Sequence, residues 1–498
     1  MLTSPIDLTP APPQGKGNLA WRWDIERRAV RSVLLSAIIL TAWALRLWLL
    51  DWKSLWLDEA NMLSVVAQGQ AALWAGRSEL YHPPLFYWLA EQGLPLGQGE
   101  YALRFPSVLF GTLSIPLAYG LMRAWFGTPS AVTAALLTAL SPLLIWYSQE
   151  FRPYALLAAL GLLSTYAFTR LCLRPNVGWW AIVALTALAG TYLHYFFFLL
   201  APLQLLVWIA HYAVRRTRVR AALLGLLAWG AALAGYWPWL QTRAFAAFLA
   251  LPVNANNYIA QLARQRLNLP AFLIDQTYLL VLLGVIAAII GVAVMYAFLR
   301  TMHRRSLWPR LQTGNWYAYL SLIVFLFVIL LWALPRGYTA KRQLLVLAPY
   351  VLLAFAWGWP WQRNRRWVLL VAATASLLAT VYVVAWTPKE QWREAAAYVG
   401  AQAAPGDIVL LSPRSMIIPY DYYDEHPAPR IGLESTSGFS NVPNALGASK
   451  RFWMVTTPFD TDPRLGLEQW LAANARLLDT RHLYRLDVRL YEYRPHRA

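Results

Sequence analysis

The sequence predicts an α-helical polytopic membrane protein with a small α/β domain beyond its last span, and three observations lead there. The 498 residues are 58% hydrophobic, with 27 Trp and only 13% charged side chains, too apolar to cover a water-soluble surface. Apolar runs of about 17 to 22 residues, long enough to cross a bilayer as helix, recur between residues 33 and 386. From Pro388 onward the composition becomes that of an ordinary soluble domain, with 13 basic residues against 13 acidic.

The apolar runs number about eleven on the length criterion: 33–50, 105–124, 130–146, 154–171, 177–193, 196–214, 221–240, 278–299, 316–334, 344–361 and 367–386. This divides the chain into a segment 1–32, a membrane domain 33–386 and a domain 387–498. The polar stretch 1–20 lacks the pattern of a cleavable signal peptide, and the first run is long enough to stay as an anchor. The first loop, 51–104, is too long for a simple connector. Its stretches 55–74 and 84–96 mix Trp, Leu and Phe with polar residues, the pattern of helices lying in the membrane interface. In the last domain, 392–403 and 465–478 read as helices, 407–411 and 451–456 as buried strands, and 484–493, with Asp487 midway, as a final hairpin.

Charge placement sets the orientation. The chain carries 43 Lys and Arg against 24 Asp and Glu, a net +19, and all of the excess lies before residue 388. Alternate loops hold Arg27 to Arg31, Arg123, Arg170 and Arg174, Arg215 to Arg220, Arg300 to Arg310, and Arg363 to Arg366. By the positive-inside rule these loops are cytoplasmic, which puts the N-terminus inside the plasma (inner) membrane and the C-terminal domain outside. Basic residues spread over many loops are an orientation signal and not one basic face, so nucleic acid is excluded as a partner. A lone cysteine, Cys172, excludes a disulfide framework or a cysteine metal cluster. No Gly-rich phosphate loop is present, which argues against nucleotide-driven chemistry.

The acids of the membrane part, Asp51, Asp58, Glu59, Glu79, Glu91, Glu100, Glu150 and Asp275, all fall on the opposite, external side. Acids contribute little to topology, so this one-sided placement calls for chemistry or for pairing with external cations. Trp56-Leu57-Asp58-Glu59 follows the first span. Two adjacent, partly desolvated carboxylates repel each other, which raises carboxylate pKa values and suits a general base; acids favouring a helix N-terminus are the plainer reading. Tyr81-His82-Pro83-Pro84 fixes a turn in the same loop, where His82 either caps the turn or meets a ligand. Gln149-Glu150-Phe151-Arg152-Pro153-Tyr154 joins the third and fourth spans. A Glu and an Arg at membrane depth are expensive unless paired or used, and an ion pair of Glu150 with Arg152 or Arg104 is the structural alternative. His194 sits at the outer end of the fifth span between two tyrosines. Arg336, Lys341 and Arg342 make a cationic external loop against the positive-inside trend, a natural phosphate ligand set.

Taken in order, Trp56-x-Asp58-Glu59, His82-Pro83-Pro84-Leu85, Leu103-Arg104-Phe105-Pro106-Ser107 and Gln149-Glu150-x-Arg152-Pro153-Tyr154 resemble the bacterial branch of the GT-C glycosyltransferases. More narrowly, the pattern is similar to the family 39-like proteins related to protein O-mannosyltransferases and to the lipid A aminoarabinose transferase. The likeness covers about the first 200 residues well and is weaker to residue 386, where mainly Lys341-Arg342 and Pro349 match. It implies a membrane enzyme that moves a sugar from a polyprenyl-phosphate donor to a glycan, lipid or protein acceptor on the external face of the cell envelope. On that resemblance Asp58 is the general base, and Glu59 positions it or bonds sugar hydroxyls. Glu150 is the second acid, and Lys341 and Arg342, with Arg336 beside them, hold the donor phosphate. His82, Arg104, Arg152, Tyr154 and His194 contact substrate. Some relatives use a divalent cation, for which Glu59, Glu150, His82 and His194 are the residues available. The competing class is a lipid or oligosaccharide transporter, or flippase, which would place ionisable residues deep inside spans and show paired broken helices. Only Arg46 sits inside a span here, near its outer end.

Overall fold

The structure, a computed structural model, describes residues 15–75, 82–214, 219–249, 344–358, 365–426, 428–433, 442–446, 449–457 and 463–494, with short pieces at 319–320 and 323–324. The predicted span 278–299, most of 316–334, and Glu79, Asp275, Arg336, Lys341 and Arg342 lie outside them.

The chain enters through α1 (Gly15–Leu47). The first loop then folds as α2 (Leu57–Gln68), α3 (Gln70–Trp74) and α4 (Leu85–Gly93), close to where its mixed aromatic stretches predicted helices. Next come α5 (Glu100–Phe126), α6 (Thr128–Leu140), α7 (Pro142–Ser148), α8 (Tyr154–Leu173) and α9 (Val177–Leu193). They are followed by α10 (Leu200–Val214), α11 (Val219–Leu240), α12 (Arg243–Leu249), α13 (Ala348–Gly358) and α14 (Arg365–Ala385). Among the described residues three helical stretches are long and apolar enough to cross a membrane, Ala29–Leu47, Glu100–Phe126 and Tyr154–Leu173. The chain is an integral membrane protein. The run 130–146, predicted as one span, is two helices bent by 54°. Pro142 cannot donate the hydrogen bond that would continue α6, and the Ser141 hydroxyl caps α7 by accepting from Leu144 N at 3.4 Å. The bend turns the chain so that Gln149 to Arg152 meet the first loop.

Beyond α14, α15 (Trp392–Gln402) leads into a mixed α/β unit. Its five strands, β1 (Ile408–Ser412), β2 (Arg430–Gly432), β3 (Arg451–Thr456), β4 (Ala475–Leu483) and β5 (Leu486–Tyr493), lie in the order β2-β1-β3-β5-β4. β1 pairs parallel with β2 and β3, and β5 runs antiparallel between β3 and β4. α16 (Ile417–Tyr423), α17 (Val442–Leu446) and α18 (Pro463–Asn474) complete the unit. The helix predicted over 465–478 stops at Asn474 and the hairpin begins at Ala475. Its turn is Tyr484-Arg485, not Asp487, with Arg485 at a φ of 64°. β4 is an edge strand with mostly exposed side chains, so its sequence carries no buried alternation to mark it.

Candidate active site

The site forms where α2, the bend after α7 and the segment before α15 converge. Glu59 lies in the first turn of α2 and is 0% exposed. Its Oε1 accepts from Arg104 Nε at 2.9 Å and Phe151 N at 2.7 Å. Its Oε2 accepts from Arg104 Nη2 at 2.7 Å, Lys389 Nζ at 3.2 Å and Trp56 N at 3.4 Å. Burial alone would push this carboxyl up. The Arg104 guanidinium and Lys389 ammonium reverse that and hold it at about 2. The expected raising of the Asp58-Glu59 pair therefore does not apply to Glu59, because bidentate cation contacts outweigh desolvation.

Arg104, on α5, gives its other N–H groups to the carbonyls of Leu50, Lys53 and Ser54 at 2.8 to 3.0 Å, so all five donors are engaged. That geometry shapes the loop entering α2. Glu150 is buried, and its Oε1 lies 3.8 Å from Lys389 Nζ. Arg104, its predicted alternative partner, is given over to Glu59. Lys53 donates to the Val383 carbonyl at 2.9 Å and stands 4.5 Å above the Trp146 ring, while Lys389 stands 5.3 Å from the same ring. Burial, with repulsion from Lys389 and Arg104, pulls Lys53 down to about 7.

Asp58, half-buried, follows on the same turn of α2. Arg152 Nη1 donates to the Asp58 carbonyl at 3.3 Å and its guanidinium lies 5.7 Å from the Tyr154 ring. Burial works against the Arg152 charge, but Tyr154, Asp58 and Tyr87 outweigh it and hold the pKa above its ordinary value. Tyr154 and His194 rings lie 6.1 Å apart, and His82 and His194 5.7 Å apart. Asp58, Arg152, Tyr154, His194 and His82 thus follow one another in a chain of neighbouring contacts. Two buried polar atoms there, Arg152 Nε and the Tyr87 hydroxyl, have no hydrogen-bond partner among the described residues. Burial raises the Tyr87 phenol and keeps it protonated, with Arg152, Tyr154 and Asp58 as its charged or polar neighbours. Tyr87 stands in the aromatic stretch after the Pro-Pro turn, where its sequence signal is that of any interfacial aromatic.

The four residues available for a divalent cation do not fit one as a set. Glu59 is spent on two cations, and no group of three or more His, Cys, Asp and Glu among the described residues is placed to hold a metal. Lys389 and Lys53 were not singled out by sequence. A lysine in a Thr-Pro-Lys-Glu connector gives no signal of a partner 330 residues away.

The fold is shared with the oligosaccharyltransferase AglB of Archaeoglobus fulgidus. In its complex with an inhibitory peptide and a dolichol-phosphate, AglB superposes with a TM-score of 0.54 at 15% identity, over 95% of this chain and 75% of that one. The apo crystal structure of the Archaeoglobus fulgidus oligosaccharyltransferase gives 0.50 at 14% identity, over 86% and 69%. At that identity the likeness shows a shared fold. In sequence, residues 81–241, about a third of the chain, match the family described as dolichyl-phosphate-mannose-protein mannosyltransferase. ArnT from Cupriavidus metallidurans bound to undecaprenyl phosphate is a fainter likeness, with a TM-score of 0.40 at 14% identity over 92% of this chain and 97% of that one. No curated protein matches the chain in sequence.

Proposed function

We propose that the protein transfers a sugar from a polyprenyl-phosphate donor to an acceptor hydroxyl on the external membrane face. In this reading residues 33–386 are the catalytic membrane domain, the N-terminal segment 1–32 is cytoplasmic, and 387–498 form an external domain. The carrying observation is the cluster at Asp58. Arg152 bonds the Asp58 carbonyl and lies within reach of its charge, Tyr154, His194 and His82 follow from Arg152 in successive ring contacts, and two buried polar atoms, Arg152 Nε and the Tyr87 hydroxyl, are left for a polar ligand. In single displacement Asp58 takes the acceptor hydroxyl's proton as its oxygen attacks the anomeric carbon. The bond from that carbon to the phosphate oxygen breaks and the polyprenyl phosphate leaves, which inverts the anomeric configuration. Arg152 and the Tyr87 hydroxyl bond the sugar or phosphate, and His82, Tyr154 and His194 wall the pocket. Glu150 acts as a second acid at the site's edge, and Glu59 and Arg104 hold the turn that carries Asp58. Lys341, Arg342 and Arg336 are assigned to the leaving phosphate, where fixed cations act most on developing charge.

The test is a reconstituted assay with a panel of polyprenyl-phosphate sugars, with the product's anomeric configuration read by NMR. Inverted product is expected, and replacing Lys341 and Arg342 together by Gln should raise the donor KM or lower kcat. Movement of the lipid across the bilayer with no new glycosidic bond would establish the flippase class instead.

A further inference from the structure

We propose that Lys389 is a positioning residue for Asp58, and that through it the segment leading into the C-terminal domain holds the catalytic loop in shape. The inference rests on the transferase reading for Asp58's role, but its geometry stands separately.

Lys389 lies between α14 and α15 and is buried, with its ammonium between two acids from different parts of the chain. It contacts Glu59 Oε2 at 3.2 Å, Glu150 Oε1 at 3.8 Å and the Gln149 carbonyl at 3.4 Å. With Arg104, these side chains make a buried quartet of two cations and two anions. A buried charge is stable only when paired and hydrogen-bonded, and Lys389 is the member that links the Arg104–Glu59 pair to Glu150. Glu59 is the next residue to Asp58 and Glu150 is two residues before Arg152, whose guanidinium bonds the Asp58 carbonyl. Lys389 therefore ties together the two stretches of chain that meet at Asp58.

The residues after Lys389 repeat the pattern. Glu390 accepts from Leu57 N at 2.9 Å and Glu394 from the Ser54 hydroxyl at 3.2 Å. Arg393 bonds the carbonyls of Asp51 and Trp52 and pairs with Glu100, and the Tyr423 hydroxyl accepts from Leu55 N at 2.6 Å. Besides Arg104, the loop from Asp51 to Glu59 is thus held by partners from a stretch 330 to 370 residues on. Backbone N–H groups that enter a helix need such partners, and here they fix the approach of α2 and hence the direction of the Asp58 carboxylate. A catalytic group displaced by about 1 Å loses on the order of a hundredfold in rate, so the effect belongs in kcat.

The experiment compares full-length wild type, K389M, K389R and the E59Q/K389M pair in proteoliposomes. Hydrogen exchange is measured on the same proteins in detergent. K389M is expected to lower kcat by about tenfold or more with the donor KM within about twofold. K389R, which keeps the cation, should recover most of that loss. In K389M the amides of 54–60 and 149–153 should exchange faster, while those of β1 and β3 stay as in wild type. Because E59Q/K389M removes one cation and one anion together, it keeps the cluster's net charge neutral and is the variant to measure where K389M does not fold; it should be no slower than E59Q alone, since both act through one turn. Wild-type kcat in K389M, unchanged exchange at 54–60, or additive losses in the pair would each overturn the proposal. A wild type that transfers no sugar would sink the transferase reading instead, and the exchange result would still decide the positioning role.

Discussion

A carboxylate with 0% exposure holding two cations is costly to disturb from either side. Glu59→Gln would leave Arg104 and Lys389 short of a buried anion, and we expect it to lower stability by about 3 to 5 kcal/mol, read by unfolding in detergent. Because the Glu59 carboxyl sits at about 2 in the fold against an ordinary 4.5, its contribution is full above pH 4.5 and is lost as pH falls toward 2. E59Q should flatten that acid limb. Lys53 has the opposite profile. Its folded pKa of about 7 lies below the ordinary 10.5, so between those values the unfolded chain holds a proton that the folded chain has released. Stability from this group therefore rises with pH across that window, and Lys53→Met should remove the slope in a pH series of melting temperatures. At this scale the sequence showed Asp58, Glu150, His82, Arg152, Tyr154 and His194 as polar residues in an apolar setting, where each needs a reason. It did not show Lys389, Lys53 or Tyr87, whose significance comes only from partners brought together by folding.

Helix α5 packs closely against the end of α7 at Gly111. A Cβ there would lie 1.9 Å from the Ser148 hydroxyl and 2.8 Å from its Cβ, so Gly111→Ala must push Ser148 aside. Ser148 accepts from Arg46 Nε at 3.3 Å and leads directly into Gln149 and Glu150. We expect a loss of about 1 to 3 kcal/mol from overpacking together with weaker transfer. Gly93→Ala, at the end of α4 with nothing within 4 Å, should leave both unchanged in parallel melts and assays. Arg46 itself is buried within α1 and bonds the carbonyls of Ala42, Ala139 and Thr138, as a helix-packing residue does. The first-loop helices were legible because aromatic and polar residues mix there with helical spacing. The break at Pro142 was not, since apolarity runs unbroken across it and hydropathy is blind to a missing N–H. The edge strand β4 was hidden for the reverse reason, having no buried face to impose alternation.

Over the whole molecule the net +19 separates into an Arg-rich set of loops and a smaller group of cations beside acids at the site. The first set is the basis on which the N-terminus is read as cytoplasmic. With Cys172 replaced by Ser, a cysteine at Leu478, an exposed position on β4, should react with a membrane-impermeant maleimide in intact spheroplasts. Labelling only after lysis would reverse the orientation. The membrane class was legible from composition, and the order of four short motifs agrees with the shared fold and with the family match over residues 81–241. The joining of the C-terminal unit to the first loop was not legible, because it consists of scattered single contacts between segments more than 300 residues apart.

The most direct measurement is single-turnover transfer by wild type and Asp58→Asn, reconstituted side by side with a polyprenyl-phosphate sugar that the wild type uses. Asn keeps the shape of the side chain but cannot take a proton, so the variant should bind donor with unchanged affinity and lose transfer by on the order of a hundredfold or more. Full transfer by the variant would contradict the assignment of the base, and with it the account of the pocket built around Asp58.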